Sequence, residues 1–195
     1  MQTLCLGGSF NPIHHGHLVC ARSVMERAGY QRLVLVPAAQ PPHKPPGANL
    51  APAADRLRMC QLAVRSTDTM DVDGLELNRT GPSYTLDTAR ELKQRGWAEV
   101  HWLIGADMLN HLPKWHRPLE LIREVHFVVM ARPGFEFQWQ NLPPEFRHLR
   151  DRVVEAPRIE ISSTDIRGRV RAGLPIDFLT PPPVVEHIRS TGLYL

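Results

Sequence analysis

The chain has 195 residues, long enough to bury a sizeable core in one domain. Apolar residues make up 43% and charged residues 22%, which excludes a chain too polar to fold. The formal net charge of +3 suits a phosphate-bearing small ligand and is too small to mark a duplex-DNA binder.

Three cysteines, Cys5, Cys20 and Cys60, form no CxxC pair. They read as small core residues in a reducing compartment, with no disulfide framework. No apolar run reaches the roughly 18–20 residues needed to cross a bilayer. The first residues lack a basic region and a cleavage site. The expectation is a cytoplasmic protein with neither membrane nor nucleic acid as partner.

In chain order, residues 3–6 read as a short buried strand ended by Gly7 and Gly8. Residues 9–16 form a loop. The next helix carries Leu18, Ala21, Met25 and Ala28 at steps of three and four, and Gly29 stops it. Residues 33–36 are a second all-apolar strand; runs without alternation point to a parallel sheet covered on both faces. Residues 37–52 form a proline-rich loop with His43 and Lys44. A helix over 53–66 presents Leu57, Cys60 and Val64. Residues 70–77 read as a strand, and Gly81-Pro82 marks the following turn. A helix over 84–95 turns Leu86, Ala89 and Leu92 inward. Residues 100–104 form a strand, with Gly105 just past its end. Short helices start at 106 and near 118–124, and 126–131 is a strand. Residues 132–152 receive no assignment. A strand lies within 153–161. The last two helices span 163–172, capped by Ser162 or Ser163, and 183–191, opened by Pro183 and closed by Gly192.

Alternating strands and helices predict an α/β fold: Rossmann-like, doubly wound, with a mostly parallel sheet and helices on both faces. One domain covers 1–195, and its part from about 162 onward is helical. Ligands of such sheets sit at the carboxyl ends of the strands. Residues 7–16, 37–44, 105–107 and 162–164 all follow strands, so they should converge on one rim.

The strongest local signal is Gly7-Gly8-Ser9-Phe10-Asn11-Pro12 followed by His14-His15-Gly16-His17. The two glycines permit close backbone approach and positive φ. A helix start offers free N–H groups and a positive dipole end to a phosphate. His14 and His17, three residues apart, can face one ligand. Neither GxxxxGK[ST] nor GxGxxG is present. A zinc site would need further ligands and HExxH is missing, so no protein-held metal is expected. The plainer alternative is a polar helix start with satisfied histidines.

This pattern resembles the signature of the HxGH nucleotidyltransferase superfamily. Ile161-Ser162-Ser163-Thr164-Asp165-Ile166-Arg167 resembles its second motif, ISSTxIR. Pro41-Pro42-His43-Lys44, Pro82-Ser83-Tyr84-Thr85, Gly105-x-Asp107, Trp115, Arg132-Pro133-Gly134 and Gly192-Leu193-Tyr194 are similar to one branch, the nicotinate-nucleotide adenylyltransferases. The resemblance covers essentially the whole chain. Asn11 departs from the Asp of many members.

The resemblance implies adenylyl transfer from ATP to nicotinate mononucleotide, giving deamido-NAD and pyrophosphate, with Mg²⁺ bound through the ATP phosphates. It implies that Gly8, Ser9 and Phe10 present backbone groups to the nucleotides. His14 and His17 would bind the ATP phosphates, with His17 nearest the α-phosphate. Ser163, Thr164 and Arg167 would hold the outer phosphates, and Gly105 and Asp107 the adenosine ribose. His14, His17 and Arg167 form the implied catalytic set. Tyr84, Thr85, Trp115 and Arg132 would form the acceptor side, with Lys44 a phosphate clamp; whether the 37–52 loop closes on substrate is left open, and the place of Lys44 in it is the reason to expect closure. Trp97, Trp102 and Trp139 read as structural. The same chemistry on the amide mononucleotide or on phosphopantetheine, and a nucleotide sensor without turnover, remain as alternatives. Oligomeric state is left open.

Overall fold

The structure is a computed structural model that describes residues 2–42 and 49–195. Apolar runs make its central strands: β1 (Thr3–Gly8), β2 (Arg32–Pro37), β4 (His101–Gly105) and β5 (His126–Ala131), with short β3 (Met70–Val72) and β6 (Val153–Glu155) at the edges. They form one sheet in the order β3-β2-β1-β4-β5-β6, and every pairing is parallel. The direction of strand addition reverses between β1 and β4. A crevice therefore opens beyond their carboxyl ends, at Gly8 and Gly105.

Both faces of the sheet are covered. Leu4, Leu33 and Leu35 belong to one apolar cluster; their neighbours Cys5, Val34 and Val36 belong to the other. That double burial is why these strands read as unbroken apolar runs. The first cluster packs α1 (His15–Arg27), α2 (Ala53–Val64) and α7 (Pro182–Thr191), together with Ile166 of α6 (Ser163–Arg171). The second packs α3 (Thr85–Gln94), α4 (Ala106–Leu109) and α5 (Pro118–Glu124). All three cysteines are buried and free, and burial pushes the Cys5 thiol up to about 12, so it is inert. No helix among the described residues is long and apolar enough to cross a membrane.

Several elements differ from the sequence expectation. β1 runs through Gly7 and Gly8, which pair with Val36 and Pro37. α1 buries Cys20, Ala21, Val24 and Met25, one stripe over from Leu18 and Ala28. The inward face of α2 includes Arg56 and Met59 as well as Cys60 and Val64, and Leu57 is half-buried. The strand read over 70–77 stops at Val72. The Asp73 carboxylate there accepts from Leu75 N at 2.9 Å, and Leu75–Asn78 becomes a 3₁₀ turn. Residues 132–152 hold 3₁₀ turns at Trp139–Asn141 and Pro144–Arg152, which bury Leu142, Phe146 and Leu149 against β5.

Neither Gly7 nor Gly8 takes a positive φ; in that loop the left-handed residue is Phe10, at +41°. Gly7 is required for space. A Cβ there would lie 2.5 Å from Cζ2 of buried Trp102. Gly7→Ala should lower stability by about 1–3 kcal/mol through overpacking, read as a lower urea midpoint. An unchanged midpoint would mean that Trp102 is free to move aside.

Candidate active site

The first motif folds as a crossing loop at the end of β1. Phe10 is buried, and its ring edge meets His17 with centroids 5.3 Å apart. His14 is the N-cap of α1, and its Nδ1 accepts from His17 N at 3.4 Å. The His14 and His17 rings stack with centroids 3.7 Å apart, so both imidazoles share one side of the helix start. The backbone N–H groups there are less free than the sequence implied. His15 N donates to Leu179 O at 3.0 Å, and His17 N also reaches His14 O at 3.0 Å. Side chains, rather than a bare helix end, are what this site offers a phosphate.

Burial pushes His14 down to about 4, helped by His15, and His17 down to about 3, helped by His14. Both are neutral at pH 7. Since His14 Nδ1 accepts a hydrogen bond, its proton is assigned to Nε2, which makes that atom a donor. His17 Nδ1 and Arg167 Nε are buried without a hydrogen-bond partner among the described residues. A buried polar atom of this kind calls for a partner, whether an ordered water, an ion or a ligand group.

The second motif docks against the first. Ser162 caps α6 by accepting from Asp165 N at 3.1 Å. The Ser163 hydroxyl donates to Pro12 O at 2.8 Å, and Arg167 Nη1 donates to Asn11 O at 2.9 Å. Arg167 Nη2 also reaches the exposed Thr164 hydroxyl at 3.3 Å. The proton of Ser163 is thus committed to the loop, while Thr164 stays exposed.

On the other side of the loop lies a cleft of about 640 Å³. Gly7, Gly8 and Ser9 line it, together with Gly105 at the end of β4. Ser83, Tyr84, Thr85, Trp115 and His116 form further walls. Trp115 is half-buried, edge-on to Phe127 with centroids 6.3 Å apart. The Tyr84 ring stacks on His116, with centroids 4.1 Å apart and planes at 14°. Asp107 is exposed in the first turn of α4. Arg132 does not line the cleft. It follows β5, one strand beyond the crevice, and its charge acts on Cys20 and Glu160. Lys44 lies outside the described residues. Trp102 is core, as expected, and also lines the cleft.

Three residues of this site escape sequence reasoning. Arg56 is only 1% exposed, and its guanidinium donates to Ser9 O at 2.9 Å, Ala38 O at 2.6 Å, Ala39 O at 3.1 Å and Ala51 O at 3.0 Å. The available signal was its place four residues before Cys60 on the buried stripe of α2. Glu76 is buried and lines the cleft. A carboxylate between Leu75 and Leu77 could have flagged it. His116 showed no motif of its own.

The pH dependence of stability follows from the histidines. The folded-state values of His14 and His17 lie below the ordinary 6.5, so the unfolded chain binds protons first as pH falls. Their contribution is full above pH 6.5 and is lost progressively below it, through pH 4 and on towards 3. Urea unfolding should show stability falling from pH 7.5 to 4.5, less steeply in a His14→Asn/His17→Asn double variant. Equal slopes would contradict the buried, neutral pair.

The pattern of the cytidylyltransferase-like family matches residues 5–169. A probable nicotinate-nucleotide adenylyltransferase of Saccharopolyspora erythraea is 40% identical over 190 residues, covering 97% of this chain and 87% of its own. One from Roseiflexus sp. is 39% identical over 191 residues, covering 97% and 96%. The Plasmodium falciparum nicotinic acid mononucleotide adenylyltransferase, solved in complex with NaAD, superposes with a TM-score of 0.74 at 18% identity, covering 100% of this chain and 98% of that one; this likeness concerns the fold. With its parallel sheet, its two docked motifs and these relatives, the chain belongs to the cytidylyltransferase-like family and, within it, to the nicotinate-nucleotide adenylyltransferases.

Proposed function

We propose that this protein transfers the adenylyl group of ATP to nicotinate mononucleotide, forming deamido-NAD and releasing pyrophosphate. One observation carries this reading: a single loop has an aromatic-walled cleft on one side and the stacked His14–His17 pair with the second motif on the other. Gly8 and Ser9 line an aromatic-walled cleft, while Phe10, next in sequence, packs against His17 on the side of the second motif. A reaction that joins two nucleotides needs an acceptor cleft and a phosphate-binding side that meet at one loop. The names of the relatives supply the acceptor.

In this account the 5′-phosphate oxygen of the acceptor attacks the α-phosphorus of ATP. A new P–O bond forms, the bond from the α-phosphorus to the oxygen bridging to the β-phosphate breaks, and pyrophosphate leaves with that electron pair. The attacking oxygen is already anionic, so no general base is required. Catalysis comes from positioning and from stabilising charge on the phosphates. His14 and His17 act as neutral donors. His17 stands nearest the α-phosphate, and Arg167 and Thr164 bind the outer phosphates. Ser163 serves chiefly by holding α6 to Pro12. Asp107, at the mouth beside Gly105, suits the ribose hydroxyls.

Trp115 offers an aromatic face to the pyridine ring, and the backbone around Tyr84 and Thr85 offers dipoles to its carboxylate. Magnesium enters as part of the ATP substrate. The phosphate side presents imidazoles, hydroxyls and a guanidinium, which are donors to phosphate oxygens rather than oxygen ligands for a hard cation. Three buried free thiols fit a cytoplasmic setting.

The test is steady-state kinetics with Mg²⁺-ATP and either the acid or the amide mononucleotide. The acid should be favoured at least tenfold in kcat/KM. His17→Ala should lower kcat by about 10²–10³-fold with little change in the KM for ATP. A kcat within twofold of wild type would remove His17 from this role. Equal use of the amide would overturn the acceptor assignment.

A further inference from the structure

Glu76 sits where a carboxylate is least welcome: in the wall of a cleft assigned to an anionic acceptor. It is 3% exposed and is carried on the turn Leu75–Asn78. Its neighbours explain its presence. Thr88 of α3 donates its hydroxyl to Glu76 Oε1 at 2.6 Å, and Ser83 stands with Glu76 in the same cleft wall, its hydroxyl helping to hold the carboxyl acidic. Arg79 lies 3.7 Å from Oε1 and also bonds the Thr88 hydroxyl. Burial raises the Glu76 carboxyl above its ordinary range, against the hydrogen bonds from Thr88 and Ser83 and the charge of Arg79. A carboxylate held this way is an acceptor for fixed hydroxyls.

What the Ser83 hydroxyl does next is decisive. Its oxygen accepts from Ala39 N at 3.0 Å and from Gln40 N at 3.3 Å, both in the segment that follows β2. A hydroxyl has one proton and two lone pairs. With both lone pairs given to Ala39 and Gln40, the proton is left for an acceptor on the other side, and the carboxylate that shares this wall is Glu76. Ser83 N closes the joint by donating to Gln40 O at 2.9 Å. Three hydrogen bonds therefore tie Ser83 to residues 39–40, and two of them need its hydroxyl proton turned away from that backbone. Tyr84 and Thr85 follow directly. Thr88 is likewise tied to them, with its N–H donating to Tyr84 O at 3.1 Å.

We propose that Glu76 is a positioning residue of the acceptor cleft, orienting the Ser83 hydroxyl so that the Ser83-Tyr84-Thr85 segment is locked in register with the backbone of Ala39 and Gln40. The proposal rests on the acceptor reading above. It adds a residue that touches no reacting atom and acts through Ser83. A small misplacement of a positioning element can cost about 10²-fold. The effect should fall on the acceptor, because the phosphate-binding histidines stand across the Gly8–Phe10 loop. Glutamine keeps one carbonyl oxygen for the two hydroxyls and turns a donor towards the other, so Glu76→Gln should retain part of the function. Alanine keeps none.

The experiment measures kcat and both KM values, with thermal midpoints, for wild type, Glu76→Ala, Glu76→Gln, Ser83→Ala and the Glu76→Ala/Ser83→Ala double variant. Glu76→Ala should raise the KM for nicotinate mononucleotide tenfold or more and leave the KM for ATP within twofold. Glu76→Gln should recover at least a third of that loss. Ser83→Ala should reproduce the split, and the double variant should be no worse than the single ones, because both act through one bond. Equal changes in both KM values, no change in either, or multiplied effects in the double variant would overturn the proposal. If Glu76→Ala does not fold, Ser83→Ala at native midpoint decides by the same split. The wild-type arm separates the two claims: turnover only with a different phosphorylated acceptor defeats the acceptor reading, and the split measured on that acceptor still judges Glu76.

Discussion

A guanidinium buried under three stretches of loop holds this site together. Arg56 forms no ion pair among the described residues, and its donors go to the carbonyls of Ser9, Ala38, Ala39 and Ala51. Burial lowers its pKa, yet an arginine stays cationic at any working pH. Hydrogen bonds from a charged donor contribute about 1.5–3 kcal/mol each, which is the scale needed to offset several kcal/mol of desolvation. The result is a positive charge beneath the loop at the end of β1, and a fixed spacing between that loop and the one after β2. Both loops line the cleft.

Asn11 extends the same logic to the remaining segments. Its Nδ2 donates to Asn49 O at 2.9 Å, and its Oδ1 accepts from Ala51 N at 2.9 Å and from the Tyr194 hydroxyl at 2.9 Å. Its carbonyl takes Arg167. An aspartate could accept from Ala51 and Tyr194 but could not donate to Asn49 O, so the amide here has a use that a carboxylate lacks. The Thr180 hydroxyl donates to Ile13 O at 2.7 Å, which ties the approach to α7 to the same loop. The first motif is braced by the loop after β2, by α6 and by the C-terminal segment. Such bracing lets catalysis rest on donors fixed in advance of the reaction.

Much of this was legible in the sequence, and the failures have physical reasons. Unbroken apolar runs at 33–36 and 127–131 mean burial on both faces, which leads directly to a parallel sheet and to ligands at its carboxyl rim. The two motifs were visible because each is one unbroken stretch of sequence, although Ser163 and Arg167 of the second reach back to Pro12 and Asn11 of the first. Arg56 was hidden because the carbonyls it meets lie in loops well apart in sequence and a polar residue on an apolar stripe reads as noise, and Glu76 because one carboxylate between two leucines carries no motif. Gly7 meets the expected close approach but not the positive φ, and what approaches is the indole of Trp102, a contact set by the pairing of β1 with β4. The 3₁₀ turns within 132–152 carry no periodicity strong enough to be seen, although they bury Phe146 and Leu149.

The central claim is that one loop parts an acceptor cleft from a phosphate side, and that the product bridges it. A crystal structure with deamido-NAD bound tests this most directly. The account predicts the pyridine ring against Trp115, its carboxylate at the backbone of Tyr84 and Thr85, and the bridging phosphates over Gly8 and Ser9 within hydrogen-bond reach of His17. A dinucleotide with its pyridine outside the cleft, or with its phosphates away from the His14–His17 pair, would contradict it.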